Sequence, residues 1–325
     1  MNHRELIAAL TPLHGAGEAR AIVRMVMEER FGLSQIDLLL GKDTDLSAND
    51  RTELEKIAER LLVGEPVQHV LGYAYFCGRR FRVTPDVLIP RPETEDLVAW
   101  ATDELRLMND EYSEQSSING HQSSIINHQS SIEILDLCTG SGCVAITLAL
   151  AFPDAHVVGV DISPAALAIA RENATTLGAH NVTFIECDIL SDPSSLIVPL
   201  GGPQGAFHLS SLIPQPSPLG DHRGLLISNP PYVRTSEAAD IHPTVLHHEP
   251  SLALFVPDDD PLRFYRAIAR IGQQLLPPAA PVFVEINAAL APETRHLFTA
   301  AGYSDVQLRD DQFSRPRMLK AMRSY

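Results

Sequence analysis

Apolar residues recur three and four positions apart through the first seventy residues, as in Ala21, Ile22, Met25 and Val26 and again in Leu54, Ile57, Ala58 and Leu61. That spacing lines one face of each of several helices, with Ser34 and either Ser47 or Asn49 placed to cap the helices that follow them. Residues 1–70 therefore read as a small helical domain. Two β-rich runs then flank Gly78 in YAYFCGRRFRV, which predicts a hairpin linker over residues 71–90. TPDVLIPRPETE leads into a helix predicted to begin near Pro92, a residue whose fixed φ suits a first helical turn.

From Ile132 onward the period changes. Short apolar runs (IEILDLC, HVVGVDI, NVTFIECD, GLLISN, PVFVEI, SDVQLR) alternate with helical stretches (GCVAITLALAF, PAALAIARENATTLG, ETRHLFTAAG). Alternation of this kind predicts a mostly parallel sheet covered by helices on both faces. The chain thus reads as an open, doubly wound α/β domain over residues 91–325. Two stretches fall outside the pattern and read as surface insertions, near 109–131 and 191–222. The first carries the tandem repeat QSSINGH, QSSIINH, QSSI, too polar for a coiled-coil seam and read as a solvated linker. The second is loaded with Pro, Gly and Ser. Loop length costs little entropy, so a complete fold tolerates both.

Composition narrows the classes. With 325 residues, 45% of them hydrophobic, the chain can bury a large core. It has no apolar run long enough for a membrane helix, and MNHRELIAAL carries charges where a signal peptide needs an apolar segment. The expected compartment is the cytoplasm, with no membrane partner. Cys77, Cys138, Cys143 and Cys187 form no CxxC pair and read as reduced thiols. A net charge of −16 repels a phosphate backbone, so no direct nucleic-acid partner is expected.

Two segments carry chemistry. LDLCTGSGCVA, Leu135 to Ala145, is a strand, a glycine turn and a helix start. Gly140 and Gly142 let the backbone approach a ligand, and Asp161, ending the next strand, suits ribose hydroxyls. Gly140, Gly142 and Ala145 also satisfy the G-x-G-x-x-A dinucleotide pattern. Asp136 at the strand end, expected to face a cationic amino-acid group and to repel a pyrophosphate, favours S-adenosylmethionine, as does Asp188, placed for an adenine amine. The other segment is ISNPPYV. Asn229 follows an apolar strand whose C-terminal end faces the ligand crevice, and Pro230 and Pro231 stiffen the backbone and remove two N–H donors. Tyr232 adds a flat wall. The Asn229 side-chain oxygen and the Pro230 carbonyl are then expected to accept both hydrogens of a planar –NH2 and to aim its nitrogen at an electrophilic methyl.

GEPVQHVLG (64–72), VLIPRPETE (87–95), LDLCTGSG (135–142), GVDIS (159–163), SNPPYV (228–233) and HEPSLALF (248–255) together resemble the release factor glutamine N5-methyltransferases, the PrmC/HemK family. The resemblance implies a class I S-adenosylmethionine-dependent methyltransferase domain, Rossmann-like with a seven-stranded mostly parallel sheet, joined by a β-hairpin to the helical N-terminal domain. It implies methylation of the side-chain amide of the glutamine in the Gly-Gly-Gln motif of class-1 peptide chain release factors. Asn229, Pro230, Pro231 and Tyr232 would grip the glutamine. Asp136, Cys138, Thr139, Gly140, Ser141, Gly142, Asp161, Asp188, Ile189 and Asn229 would contact S-adenosylmethionine, and the helical domain would hold the release factor.

Departures from the family pattern are Asn287, where a Gly is usual after the VE strand, and Ser314 to Arg317 (SRPR) in place of a GRDR-like segment. Both are expected to lie away from the methyl-transfer centre. His242, His247, His248 and Glu249 match no standard zinc spacing and read as a substrate-side loop, with no metal expected. Arg91 reads equally as pocket lining or as an ion-pair partner. The rival functions are an N6-adenine methyltransferase of DNA or RNA, disfavoured by the acidic balance, an NAD-linked oxidoreductase, which leaves Asn229 to Tyr232 unexplained, and a non-catalytic cofactor-binding factor.

Overall fold

The computed structural model describes residues 1–118, 132–191, 197–199, 206–208 and 223–324. The QSSI repeat beyond Ile118 and most of the Pro-rich stretch lie outside the described residues. The chain forms two compact units: a helical one made of Met1–Ala74, Arg82–Ile89 and Ala239–Pro250, and an α/β one made of Tyr75–Phe81, Pro90–Ala238 and Ser251–Tyr325. The helical unit is therefore not a single N-terminal stretch, since it also takes in the HPTVLHHEP segment.

In the helical unit, α1 (His3–Phe31), α2 (Gln35–Leu39), α3 (Ala48–Leu62) and α4 (Val67–Leu71) enclose a core. Of the positions picked out by spacing, Ile22 and Val26 of α1 and Leu54, Ile57, Ala58 and Leu61 of α3 lie in this core, whereas Ala21 is exposed and Met25 only partly buried, and Val23 and Met27 complete the buried face of α1. Capping explains where these helices begin. Asn2, Ser34 and Ser47 each accept the N–H of the residue three on, and Glu5, Asp37 and Asp50 each return a bond to the cap. Ser47, not Asn49, is the cap of α3. Gly32 ends α1 in the left-handed region at φ 66°.

Strands β1 (Tyr73–Phe76) and β2 (Arg79–Arg82) pair around Gly78, and α5 begins at Pro92 and runs to Ile118, into the first residues of the QSSI repeat. The α/β unit then follows with β3 (Ile132–Leu137), α6 (Cys143–Ala151), β4 (His156–Asp161), α7 (Pro164–Leu177) and β5 (Val182–Glu186). Two three-residue strands, β6 (Ile197–Pro199) and β7 (Ala206–His208), pair antiparallel, and β8 (Arg223–Ser228) re-enters the main sheet. Next come the parallel two-residue pair β9 (Val233–Arg234) and β10 (Phe255–Val256), then α8 (Arg263–Leu275), β11 (Pro281–Glu285), α9 (Ala291–Ala300), β12 (Tyr303–Asp310) and β13 (Pro316–Arg323).

Seven strands form one sheet in the order β12-β13-β11-β8-β3-β4-β5, parallel from β11 to β5, with β13 antiparallel to both its neighbours. Alternate side chains enter different cores, as a period of two requires. Ile134, Leu225, Ile227 and Phe283 pack with residues of α5, α6 and α7, whereas Leu135, Leu226, Val282 and Val284 pack with residues of α8 and α9. The sheet is therefore covered on both faces, and the doubly wound expectation holds. Chain order reverses between β8 and β3, which makes the C-terminal ends of those two strands the ligand crevice of such a sheet. Among the described residues no helix is long and apolar enough to cross a membrane.

At the opposite end of the sheet His156 stands beside Glu133 across the β3–β4 ladder, Nδ1 to Oε2 3.0 Å. The Glu133 hydrogen bond raises the histidine pKa, against a smaller burial effect. A raised folded-state pKa stabilises fully below the unfolded value and is lost as pH climbs through the folded one. Because His156 is 35% exposed, the gain is discounted to a few tenths of a kcal/mol. We expect the small denaturation midpoint difference between wild type and His156→Gln to be greatest near pH 6 and below and to shrink as pH approaches 8. A difference that grows with pH would show the sign to be wrong.

Candidate active site

Parallel pairing brings the predicted residues to one edge. Leu137 lies opposite Ser228 and Val160 in the ladders, so the loop after β3, Asn229 after β8 and Asp161 at the end of β4 share the C-terminal edge. Ser228 Oγ donates to the Leu137 carbonyl at 2.6 Å and pins the ends of β3 and β8 together.

The loop from Cys138 to Gly142 turns on left-handed backbone at alternate positions, with φ 61° at Cys138, 54° at Gly140 and 79° at Gly142. Asp161 holds it from the side, accepting the Gly140 N–H at 2.8 Å on Oδ2 and the Ser163 N–H at 2.9 Å on Oδ1. Asp136 holds it from below. It is buried, and its Oδ2 accepts both the Thr139 hydroxyl at 2.6 Å and the Ala145 N–H at 3.1 Å. The expectation that Asp136 opens onto the ligand is corrected accordingly: a strand-end carboxylate next to a helix start finds N–H donors there, and it braces the turn. Burial pushes its carboxyl pKa up to about 7, despite those two bonds. Burial also raises the Asp161 pKa. Thr139 and Ser141 are buried, and a Cβ built on Gly140 meets nothing within 4 Å. Asp188 is exposed and accepts the Leu190 N–H at 2.9 Å, while Ile189 is buried in the core that α8 covers.

The donor set suits S-adenosylmethionine. Among the described residues no ion pair joins Asp161 to a cation, and its carboxylate is held only by backbone N–H groups, so the edge presents an acidic group without a fixed positive partner. That favours a sulfonium and an ammonium over a pyrophosphate. The open side of Gly140 gives the ligand its approach.

Asn229 is half-buried, and its Nδ2 donates to Thr94 Oγ1 at 3.0 Å. Thr94, in the first turn of α5, donates its own proton to Glu285 Oε2 at 2.6 Å. Tyr232 donates to the other oxygen, Glu285 Oε1, at 2.8 Å. Pro230 and Pro231 are buried between these anchors. Burial raises the pKa of Glu285, and burial followed by the nearby Glu285 charge raises that of Tyr232 well above the usual phenol range.

The two departures from the family pattern were expected away from this centre, and the structure corrects that. Asn287 Nδ2 donates to the Tyr232 carbonyl at 3.0 Å and to Glu237 Oε2 at 2.9 Å, and the Arg317 guanidinium sits 5.8 Å from the centroid of the Tyr232 ring. Asn287 follows β11, the neighbour of β8, and Arg317 lies at the start of β13, the strand beyond β11, so sheet order carries both toward the loop after β8. Thr94 and Glu285 were also missed as site residues. Glu285 had a signal, a carboxylate closing a run of four apolar residues, the same pattern that marks Asp161.

In the helical unit, His242 stacks on His14 at 5.9 Å and accepts the Thr244 N–H, while Glu249 Oε2 accepts the Ile89 N–H at 3.0 Å. Among the described residues no group of three or more His, Cys, Asp or Glu is placed to hold a metal.

A family model described as the PrmC N-terminal domain matches residues 6–72, and one described as a methyltransferase domain matches residues 128–198. The chain is 38% identical to the release factor glutamine methyltransferase of Bacteroides thetaiotaomicron, covering 97% of this chain and 96% of that protein. It is 34% identical to the Flavobacterium psychrophilum enzyme of the same description, over 98% and 97% of the two chains. Against that of Chlorobaculum tepidum it is 33% identical, over 94% and 90%.

Proposed function

This chain belongs to the release factor glutamine methyltransferase family, and on that premise we propose how its residues carry out the reaction. It is a protein-(glutamine-N5) methyltransferase that uses S-adenosylmethionine and acts on a peptide chain release factor. The finer reading is that the methylated group is the side-chain amide of the glutamine in the Gly-Gly-Gln motif of class-1 release factors, in the cytoplasm. The observation that supports it best is the Asn229 carboxamide, whose nitrogen is bound to Thr94, at the strand end beside the glycine loop.

When bound, S-adenosylmethionine supplies a methyl group made electrophilic by its sulfonium. The Cys138 to Gly142 turn, Asp161 and the Asp188 to Ile189 segment would hold it, with Asp136 keeping the turn in shape. An amide nitrogen is a weak nucleophile because its lone pair is delocalised into the carbonyl. Alignment has to supply the rate, and holding reacting atoms about 3–3.5 Å apart removes several kcal/mol of barrier. Asn229 Oδ1 and the Pro230 carbonyl are the acceptors we assign to the two glutamine N–H groups. They orient the lone pair and stabilise positive charge as it develops on nitrogen. Tyr232, its hydroxyl tied to Glu285, presents a ring face to the flat amide. The helical unit, residues 1–74 with 82–89 and 239–250, is assigned to the body of the release factor.

Incubation with methyl-labelled S-adenosylmethionine and a full-length class-1 release factor should place one label on the Gly-Gly-Gln glutamine, located by peptide mass spectrometry. Calorimetry should show binding of S-adenosylmethionine and none of NAD. Label on adenine of an oligonucleotide, with none on the release factor, would overturn the assignment.

A further inference from the structure

We propose that Thr94 and Glu285 are positioning residues for the transfer: they form a one-way hydrogen-bond relay that dictates which end of the Asn229 carboxamide meets the substrate. The inference rests on the amide-methylation reading above and adds to it two residues that need not touch the substrate.

The two ends of a carboxamide are nearly equal in size and opposite in hydrogen-bonding sense, since one gives two protons and the other accepts. Turned one way, Asn229 accepts from a substrate –NH2; turned the other, it presents N–H to N–H and repels it. Nothing in the asparagine itself selects between the two. Its neighbour does. Thr94 Oγ1 has a single proton, and the oxygen lies 2.6 Å from Glu285 Oε2. The hydrogen bonds from Thr94 and Tyr232 and the Arg317 charge favour the ionised form of Glu285 against its burial, and an ionised carboxylate only accepts, so the threonine proton is committed to it and what Thr94 offers Asn229 is a lone pair. Only Nδ2 can satisfy that lone pair, and the 3.0 Å contact is of that kind. Oδ1 is left for the crevice. Tyr232 gives its phenol proton to the other oxygen at 2.8 Å, so one carboxylate sets both ends of the Asn229–Tyr232 segment.

The choice of a glutamate at this position supports the relay. Glu285 is 1% exposed and hydrogen-bonds through its carboxylate to the two hydroxyls, with the Arg317 guanidinium acting on it only as a nearby charge. Burying a carboxylate on two neutral hydroxyls is costly, and glutamine has the same shape. What glutamine lacks is two accepting ends. In a Glu285→Gln variant, an NH2 facing Thr94 would send the threonine proton to Asn229 and call for Oδ1 there. An NH2 facing Tyr232 would meet a hydroxyl that now has to place its proton elsewhere. Three elements distant in sequence, α5, the loop after β8 and the end of β11, thus converge on one bond polarity.

The test uses full-length protein, S-adenosylmethionine and release factor, with kcat, KM, cofactor affinity and thermal melting measured for each variant. Thr94→Val keeps the shape and removes the hydroxyl. It should lower kcat by roughly 10- to 100-fold, as misalignment does, with cofactor affinity and KM within about twofold. Thr94→Ser restores the hydroxyl and should recover kcat to within about threefold of wild type. Glu285→Gln should lower kcat as Thr94→Val does, and the double variant should be no slower than the worse single one, because both break the same relay. The relay is overturned if Thr94→Val turns over like wild type, if Thr94→Ser is as slow as Thr94→Val, or if the two losses multiply in the double variant. Should Thr94→Val fail to fold, Glu285→Gln against wild type decides in the same way, a wild-type kcat overturning the relay. A wild-type protein that leaves the release factor unmethylated would be a failure of the functional reading, distinguishable because no variant is needed to see it.

Discussion

Asn229→Ala should slow methyl transfer by roughly 10²–10³-fold, the effect expected when one preorganised polar contact to the reacting group is removed. Its stability should change by no more than about 1 kcal/mol, because only the hydrogen bond to Thr94 is lost from a half-buried position. S-adenosylmethionine should still bind, since the Gly140 turn and Asp161 are untouched. Asn229→Asp is the sharper variant. It preserves volume and an acceptor toward the substrate, but it sets a second carboxylate against Thr94, whose proton already serves Glu285 at 2.6 Å. The two acids would compete for one proton, so Asn229→Asp should be as slow as the alanine variant even though its crevice-facing oxygen survives. Methylation of a release factor under single-turnover conditions measures both, with melting curves as the control. An aspartate variant at wild-type rate would show that the oxygen alone suffices and that the Thr94 side of the amide is irrelevant.

Much of the fold was legible because local chemistry and burial agree. Ser34 and Ser47 cap where they should, and β3, β4, β8 and β11 are apolar runs ending in acid, asparagine or glycine-rich turns. What was not legible sits where burial and polarity disagree. β13 reads PRMLKAMR, yet it lies inside the sheet, with Met318, Leu319 and Ala321 buried. Even Lys320 is buried there, its Nζ bound to Glu104 Oε1 at 3.0 Å, a partner 216 residues away. No period-two pattern survives when both faces of a strand are covered and one side chain snorkels to a distant carboxylate. α8 was missed as well, although RFYRAIARIGQQL carries the helical spacing, with Arg266 and Arg270 on its exposed face and Tyr265, Ile268 and Ile271 on its buried one. The helical unit's claim on Ala239–Pro250 was hidden for a simpler reason: a segment that returns to an earlier unit leaves no local mark.

The site divides the same way. Asn229 and the glycine turn announced themselves by unusual residues in short spacings. The relay did not, since Thr94 and Glu285 are 191 residues apart, and bond polarity is a property of three partners in space. Asn287 and Arg317 show the converse error. Judged by distance along the chain they belonged elsewhere, whereas sheet order sets the end of β11 and the start of β13 beside the Tyr232 loop.

Gly140 and Gly142, two residues apart, should fail in opposite ways. Gly142 has φ 79°, and a Cβ there would stand 3.0 Å from both Ala170 Cβ and Ile146 Cδ1 and 3.2 Å from Phe184 Cζ. Left-handed backbone costs an alanine about 1–2 kcal/mol, and crowding a packed interior adds a comparable amount. Gly142→Ala should therefore lose roughly 2–4 kcal/mol of stability, a fall of roughly 5–10 °C in Tm for a unit of this size. Gly140 has φ 54° and open space where the Cβ would project, so Gly140→Ala should cost only about 1 kcal/mol of folding stability. Its methyl group instead points into the volume assigned to the cofactor. There it should cost about 1–3 kcal/mol of binding, or roughly a tenfold to hundredfold loss of S-adenosylmethionine affinity. Melting curves without ligand and a calorimetric titration with it measure the two effects separately. If Gly140→Ala binds S-adenosylmethionine as wild type does, the cofactor does not lie against this turn, and the alignment assigned to Asn229 loses its reference point.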